Sequence, residues 1–339
     1  MSSHLQVFRS ICNLTGRNLT GRNLTGVLCV LTVVLSAQDQ PTIRTSVPLV
    51  LVPVTVTDKK GNSIDGLKVD DFLIADDGVR QNIRLDTSDT VLAPVSLVVA
   101  VQRSGISAAV LAKINKVGAM IQPLISGERG RTAVVAFDDE VRVFQDFTSD
   151  STKIKVAFAK IQGRVIRAGR MLDAIDESVR MLSTRPESSR RILLILSESR
   201  DRGSKTKLGP AIELAQRASV AVYPATYSAY ATPWTAKPED NPSMPGGGDY
   251  IGGLADLFRL GKTNTAETFA RATGGRHLSF ETLKGLEEAI SRAGEEIHSQ
   301  YLLSFVPKAS ENHGFHRLDV AVPSRPDAVA RARPGYWAQ

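Results

Sequence analysis

The chain has 339 residues, 42% hydrophobic and 23% charged, a balance that excludes collagen-like, disordered and multi-span membrane classes and suits about two globular domains. Its formal charge is +7, but residues 1–37 hold three of the 42 basic residues (Arg9, Arg17, Arg22) and no Asp or Glu. The other 39 basic residues against 35 acidic ones leave +4, too thin an excess for a nucleic-acid partner.

The first segment reads as an export signal. The apolar run Val27–Leu35 has nine residues, about half of the ~20 that span a bilayer, and it lies between the three arginines and Ser36-Ala37-Gln38. A buried first strand would be equally apolar, but the lack of acidic residues before Asp39 favours export. Residues 1–37 are therefore expected to be a signal peptide cleaved after Ala37, leaving a periplasmic or extracellular chain without a membrane span. Three copies of Asn-Leu-Thr-Gly (13–16, 18–21, 23–26) lengthen the charged part of this leader. The two cysteines, Cys12 and Cys29, also fall inside it. A mature chain without thiols excludes cysteine nucleophiles, thiolate zinc and iron–sulfur ligation, and must rely on core burial in place of disulfides.

Residues 47–57 place Val50, Val52, Val54 and Val56 on one face at period two, a β-strand that Pro48 and Pro53 suggest lies at an edge. Asp58–Asn62 is a turn, and Phe72–Ala75, Asp76-Asp77-Gly78 and a short run to Ile83 form a hairpin signal. Residues 44–90 thus predict antiparallel strands without helices.

From Ala93 the pattern changes. Leu97–Val101, Ala133–Phe137, Ile192–Leu196 and Val220–Tyr223 are near-continuous apolar runs, as in parallel strands buried on both faces. Between them lie helical periodicities at Val110, Ile114, Val117 and Ile121, at Leu172, Ile175, Val179 and Leu182, and at Leu283, Leu286, Ile290 and Ile297. This alternation predicts a doubly wound α/β domain with a mostly parallel sheet over residues 92–297. The strand from Val141 follows Phe137 after only Asp138-Asp139-Glu140, which permits only an antiparallel edge hairpin. Thr232–Gly253 is a long loop rich in proline and glycine, of the kind that is either functional or disordered.

Residues 298–338 return to strand character at Tyr301–Val306, at Leu318, Val320 and Val322, and from Val329. Two helix-free pieces, each too small to be stable alone, flank the α/β region. The expectation is one small antiparallel β-sandwich built from residues 44–90 and 298–338, with the α/β domain inserted between them.

Several stretches carry a family resemblance: Val54–Asn62, Leu67 with Asp71-Phe72 and Asp77-Gly78, Val134–Asp138, Asp173-Ala-Ile, Thr273–His277, Gln300–Phe305 and Gly335-Tyr-Trp. Their order over residues 46–338 resembles the bacterial von Willebrand factor A-related family of the acidobacterial type. The resemblance implies a von Willebrand A-like domain with a metal-ion-dependent adhesion site at the carboxyl ends of its strands. There Mg²⁺ binds and, through it, an acidic group of a partner, at the place where open α/β sheets hold ligands.

The implied site departs from the family pattern. Where Asp-x-Ser-x-Ser is expected the chain has Gln102-Arg103-Ser104-Gly105-Ile106; the threonine position is Gly169, and the second aspartate position is Glu198. Only Ser104 keeps its side chain. Arg103 and Arg170 bring positive charge to the same face, so a degenerate site holding no metal and no other cofactor is expected.

Enzymatic constellations are sparse. Outside the leader the histidines are His277, His298, His313 and His316; none pairs at metal-ligand spacing, and His313 and His316 are expected to be solvated in a turn. Gly261-Lys262-Thr263 lacks the rest of a phosphate loop, Asp76-Asp77 and Asp138-Asp139 sit at turns, and Gly203-Ser204 is no nucleophile elbow. The leading expectation is an exported, non-enzymatic protein-binding module. Its rim comprises Gln102, Arg103, Ser104, Ile106, Gly169, Glu198 and Asp201, and its partner is unidentified. A structural envelope component with a vestigial site, and metal-dependent adhesion through a divergent site, are the alternatives.

Overall fold

The computed structural model describes residues 49–85, 93–104, 117–186, 188–227, 264–308 and 314–338. The expected leader, most of the helix from Val110, the 232–253 loop, residues 261–263, Ile106 and His313 lie outside the described residues. The chain enters through β1 (Val50–Thr57), β2 (Leu73–Asp76), β3 (Val79–Arg80) and β4 (Ile83–Leu85). One turn of 3₁₀ helix, Val69–Asp71, stands where no helix is predicted. There follow β5 (Val95–Gln102), β6 (Arg131–Phe137), β7 (Val141–Thr148), α1 (Ser151–Lys160), α2 (Met171–Ser183) and β8 (Arg190–Ser197). Then come α3 (Leu208–Arg217), β9 (Val220–Tyr227), α4 (Thr265–Thr273), β10 (Leu278–Phe280) and α5 (Leu283–His298). The chain leaves through β11 (Tyr301–Phe305), β12 (Phe315–Ala321), β13 (Val329–Arg331) and β14 (Gly335–Trp337).

The central sheet has the order β10-β9-β8-β5-β6-β7 and is parallel except for β7. That strand pairs antiparallel with β6 at the edge, as the three-residue link requires. Alternation along β5 divides its side chains between two cores. Leu97, Val99 and Val101 pack with Ile154 and Phe158 of α1 and with Leu286 and Ile290 of α5. Val98 and Ala100 pack with Ile175 and Val179 of α2, Ile212 of α3 and Phe269 of α4. Both faces being apolar, the strand shows no polar alternation.

Two antiparallel sheets, β13-β1-β11-β4 and β14-β12-β2-β3, draw on both ends of the described chain. Val52 pairs with Leu303, Val56 with Ala330, and Ile74 with Val320. Their facing sides share one apolar cluster: Val52, Val54, Leu303 and Phe305 from one sheet, Phe72, Ile74, Leu318 and Tyr336 from the other or its flank. β1 is an interior strand, contrary to the edge position its prolines suggest. The reason is local: β13 pairs only with Thr55–Thr57, so Pro53 has β11 on one side and is not reached by β13 on the other. Among the described residues no helix is long and apolar enough to cross a membrane.

Candidate functional site

The carboxyl ends of β5 and β8 converge with the loop before α2, and there Gln102, Ser104, Gly169, Glu198 and Asp201 come together. Gln102 ends β5 with a buried side chain. Its Oε1 accepts the Glu198 N–H at 3.0 Å, and its Nε2 faces the Ser104 carbonyl at 3.5 Å and hydroxyl at 3.4 Å. The Ser104 hydroxyl donates to the Ala168 carbonyl. Gly169 and Arg202 exchange two backbone hydrogen bonds, at 3.0 and 2.9 Å, which fastens the two loops together. A Cβ on Gly169 would stand 2.5 Å from Gln102 Nε2, so the glutamine amide fills the space a threonine would need.

The carboxylates at this rim are engaged internally. Asp201 accepts the Leu172 N–H at 3.0 Å and the Ser204 hydroxyl at 2.6 Å, tying down the first turn of α2. Asp173 accepts backbone N–H groups of Lys205 (3.1 Å) and Thr206 (2.8 Å). Burial pushes the Asp173 carboxyl up, but the Thr206 and Lys205 bonds and the Arg170 charge outweigh it and leave it below its ordinary value. The Glu198 carboxylate, in a buried residue, pairs with Arg202 at 3.0 Å.

Arg103 does not present its charge outward as its position in the sequence implies. Its Nε lies 2.9 Å from Asp138 Oδ2 and its Nη2 3.2 Å from Glu140, and the residue is buried. Asp138 is fully enclosed and takes Arg164 as well, at 3.0 Å. A buried carboxylate requires such partners, and this need turns Arg103 inward. Asp138, Asp139 and Glu140 are close enough to share a cation, but Arg103, Arg142 and Arg164 already neutralise them. What the rim offers solvent is therefore positive: Arg167, Arg200, Arg202, Lys205 and Lys207 are all exposed. As ligands for a small hard dication the gathered groups fit poorly. Gln102 turns amide hydrogens toward Ser104, Gly169 offers no side chain, and Glu198 and Asp201 are held by other donors. Ile106 is outside the described residues.

Two features elsewhere were not legible in the sequence. His316 is buried in β12, against the expectation of a solvated turn: its ring stacks on Tyr336 and its Nδ1 faces Asp76 and Asp77. The alternating strand has carried it inward, where the β2–β3 hairpin supplies the acids. His277 bridges Thr226 (2.7 Å) and Glu267 (2.8 Å), joining β9 to α4. A groove of about 780 Å³ between the Thr57–Asp65 turn and α5 is lined by Lys60, Arg276 and Arg292 and by Asp65, Glu295 and Glu296, so its charges balance.

No protein-family model matches the chain, and no curated protein matches it. Among solved structures it is similar to the conserved hypothetical protein BatB from Bacteroides thetaiotaomicron, at 14% identity over 59% of this chain and 99% of that one, with a TM-score of 0.41. A von Willebrand factor type A structure from Catenulispora acidiphila is similar at 10% identity over 86% of this chain and 62% of that one, with a TM-score of 0.44. The vWF domain of the type V pili tip protein Mfa5 from Porphyromonas gingivalis is similar at 19% identity over 33% of this chain and 40% of that one, with a TM-score of 0.29.

Proposed function

We propose that this chain is an exported, non-enzymatic protein-binding module whose α/β domain, residues 92–297, is inserted in a β-sandwich formed by residues 44–90 and 298–338. In this reading the rim at the carboxyl ends of the parallel strands takes an acidic group of a protein partner directly, without a bridging metal. One observation carries the reading: Asp173 and Asp201 point inward to backbone and hydroxyl donors, Glu198 is paired with Arg202, and Arg167, Arg200, Lys205 and Lys207 face solvent. The resemblance implies a bound cation that presents positive charge to a carboxylate at this place. Here guanidinium and ammonium groups supply that charge, and arginine binds carboxylates through two parallel N–H bonds. The hydroxyls beside them are committed to structure, Ser104 to Ala168 and Ser204 to Asp201, which supports binding rather than nucleophilic chemistry.

The test uses the chain as bait for envelope and secreted proteins, with EDTA present, beside the variant Arg167→Glu/Arg200→Glu/Lys205→Glu. The expected outcome is a captured partner that survives chelation, is released by salt and is lost with the variant. Capture abolished by EDTA would establish metal-dependent adhesion instead. Capture indifferent to the triple change would make the rim vestigial and the chain a structural component.

A further inference from the structure

We propose a second binding site, for one divalent transition-metal ion of the Zn²⁺ type, at the β2–β3 hairpin, with His316 Nδ1, Asp76 Oδ1 and Asp77 Oδ2 as its protein ligands. The three atoms lie within 4.8 Å of one another. His316 Nδ1 is 3.3 Å from Asp76 Oδ1 and 3.0 Å from Asp77 Oδ2. A tetrahedral ion with bonds of about 2.0–2.1 Å has edges of about 3.3–3.4 Å, so small shifts would seat it. Asp76 Oδ1 gives the second, independent indication. It belongs to a residue 7% exposed and makes no hydrogen bond beyond the 3.3 Å approach of His316 Nδ1, so a cation seated between the two would satisfy it.

Each ligand is held by a neighbour. Tyr336 donates its hydroxyl to the other Asp76 oxygen at 2.8 Å, leaving Oδ1 aimed at the histidine. The Arg317 N–H holds Asp77 Oδ1 at 2.8 Å, leaving Oδ2 in the same way. The His316 ring is buried and stacked on Tyr336, 5.1 Å between centroids and 21° between planes. Such outer contacts fix ligand direction in metal sites. Asp77, at φ 48°, followed by Gly78 at φ 81°, makes the tight Asp-Gly turn that folds its carboxylate back over β12. Its exposed side leaves an entry path and room for a water as fourth ligand. One imidazole and two carboxylates suit zinc; magnesium and calcium take all-oxygen shells.

The experiment takes the full chain carrying Cys12→Ser and Cys29→Ser, so that no thiol competes, strips it with chelator, and titrates ZnCl₂ at about pH 7.5, where the ligands are deprotonated. The expected result is one equivalent bound by calorimetry, a raised melting temperature, no response to Mg²⁺, and a Co²⁺ spectrum of four-coordinate intensity. Asp77→Asn keeps the turn, because Asn tolerates positive φ, and should weaken Zn²⁺ binding about tenfold or more with the metal-free melting temperature unmoved. His316→Gln should abolish it. No uptake by the unaltered site at about 100 µM free Zn²⁺ would overturn the proposal. So would uptake of equal affinity in both variants.

Discussion

Gly169 faces an amide that leaves no space for a side chain. Gln102 Nε2 would stand 2.5 Å from any Cβ there, and the amide cannot swing away without releasing the Glu198 N–H its oxygen holds at 3.0 Å. Gly169→Ala should therefore cost about 1–3 kcal/mol by overpacking. Gln102→Ala removes the obstacle and its hydrogen bonds together, so the double variant should be more stable than the two single losses predict, by about 0.5 kcal/mol or more. Urea denaturation of the four proteins checks this; strictly additive losses would mean the amide does not occupy the glycine's space. That Gln102, Gly169 and Glu198 share one place was legible only through the family resemblance, which aligns all three with one metal site; strand geometry brings together Gln102 and Glu198 alone, at the carboxyl ends of the paired β5 and β8. The direction of Arg103 was not legible, since it is set by burial of Asp138 just past the end of the adjacent strand β6, a fact of packing. His316 was misread for the same reason: its acidic neighbours come from the other end of the chain, and the local turn composition carries no trace of them.

Among the elements, α4 is fastened to the sheet through one carboxylate. Glu267, in the first turn of α4, meets His277 Nδ1 at 2.8 Å and Arg271 at 2.6 Å. The His277 hydrogen bond lowers the Glu267 carboxyl most, burial opposes it, and Arg271 adds to the lowering, so that it moves from 4.5 to about 2. A carboxylate whose pKa is depressed on folding stabilises the native state above its unfolded value and loses that contribution as pH falls through the folded one. Between about pH 4.5 and 2 the wild type should lose stability more steeply than Glu267→Gln, with the gap between them closing toward the acid end. Urea midpoints across this range decide the matter, and parallel curves would show that the clamp carries nothing. The parallel strands were legible because burial on both faces writes an apolar run. α1, α3 and α4 were not, since they write little: α1 buries only Ile154, Ala157 and Phe158, and much of the buried face of α4 is alanine and threonine, which contrast weakly with a polar face. The stronger sign for α1 was its cap, where Asp150 accepts the N–H groups of Thr152 and Lys153.

At the scale of the whole molecule, the outer sheets cannot be assigned to one end of the chain. β1 has β11 and β13 as its neighbours, both supplied by residues after 300, and β2 lies between β3 and β12. Removing residues 298–338 strips β1 of both partners and leaves β2 with the two residues of β3. It also uncovers the core face of Val52, Val54 and Ile74, which Leu303, Phe305, Leu318 and Tyr336 help to cover. The central sheet and both its cores lie outside that deletion, because β5 to β10, α1 to α4 and all of α5 but His298 fall before it. The losses there are at the junction. Arg333, whose burial lowers its guanidinium to about 10, donates to Ser219 at 3.0 Å, Gln300 donates to the Tyr223 hydroxyl at 3.0 Å, Arg331 pairs with Glu296, and Trp337 donates to Gln216 at 3.2 Å. These are a few polar contacts beside two intact apolar cores, and hydrophobic burial dominates stability. Residues 92–297 alone should accordingly unfold cooperatively, and a chain ending at 297 should show rapid cleavage across 44–90 under limited proteolysis while the α/β part resists. Protection of 44–90 in that truncated chain would mean the N-terminal strands hold together without their C-terminal partners, and the shared sandwich would have to be abandoned.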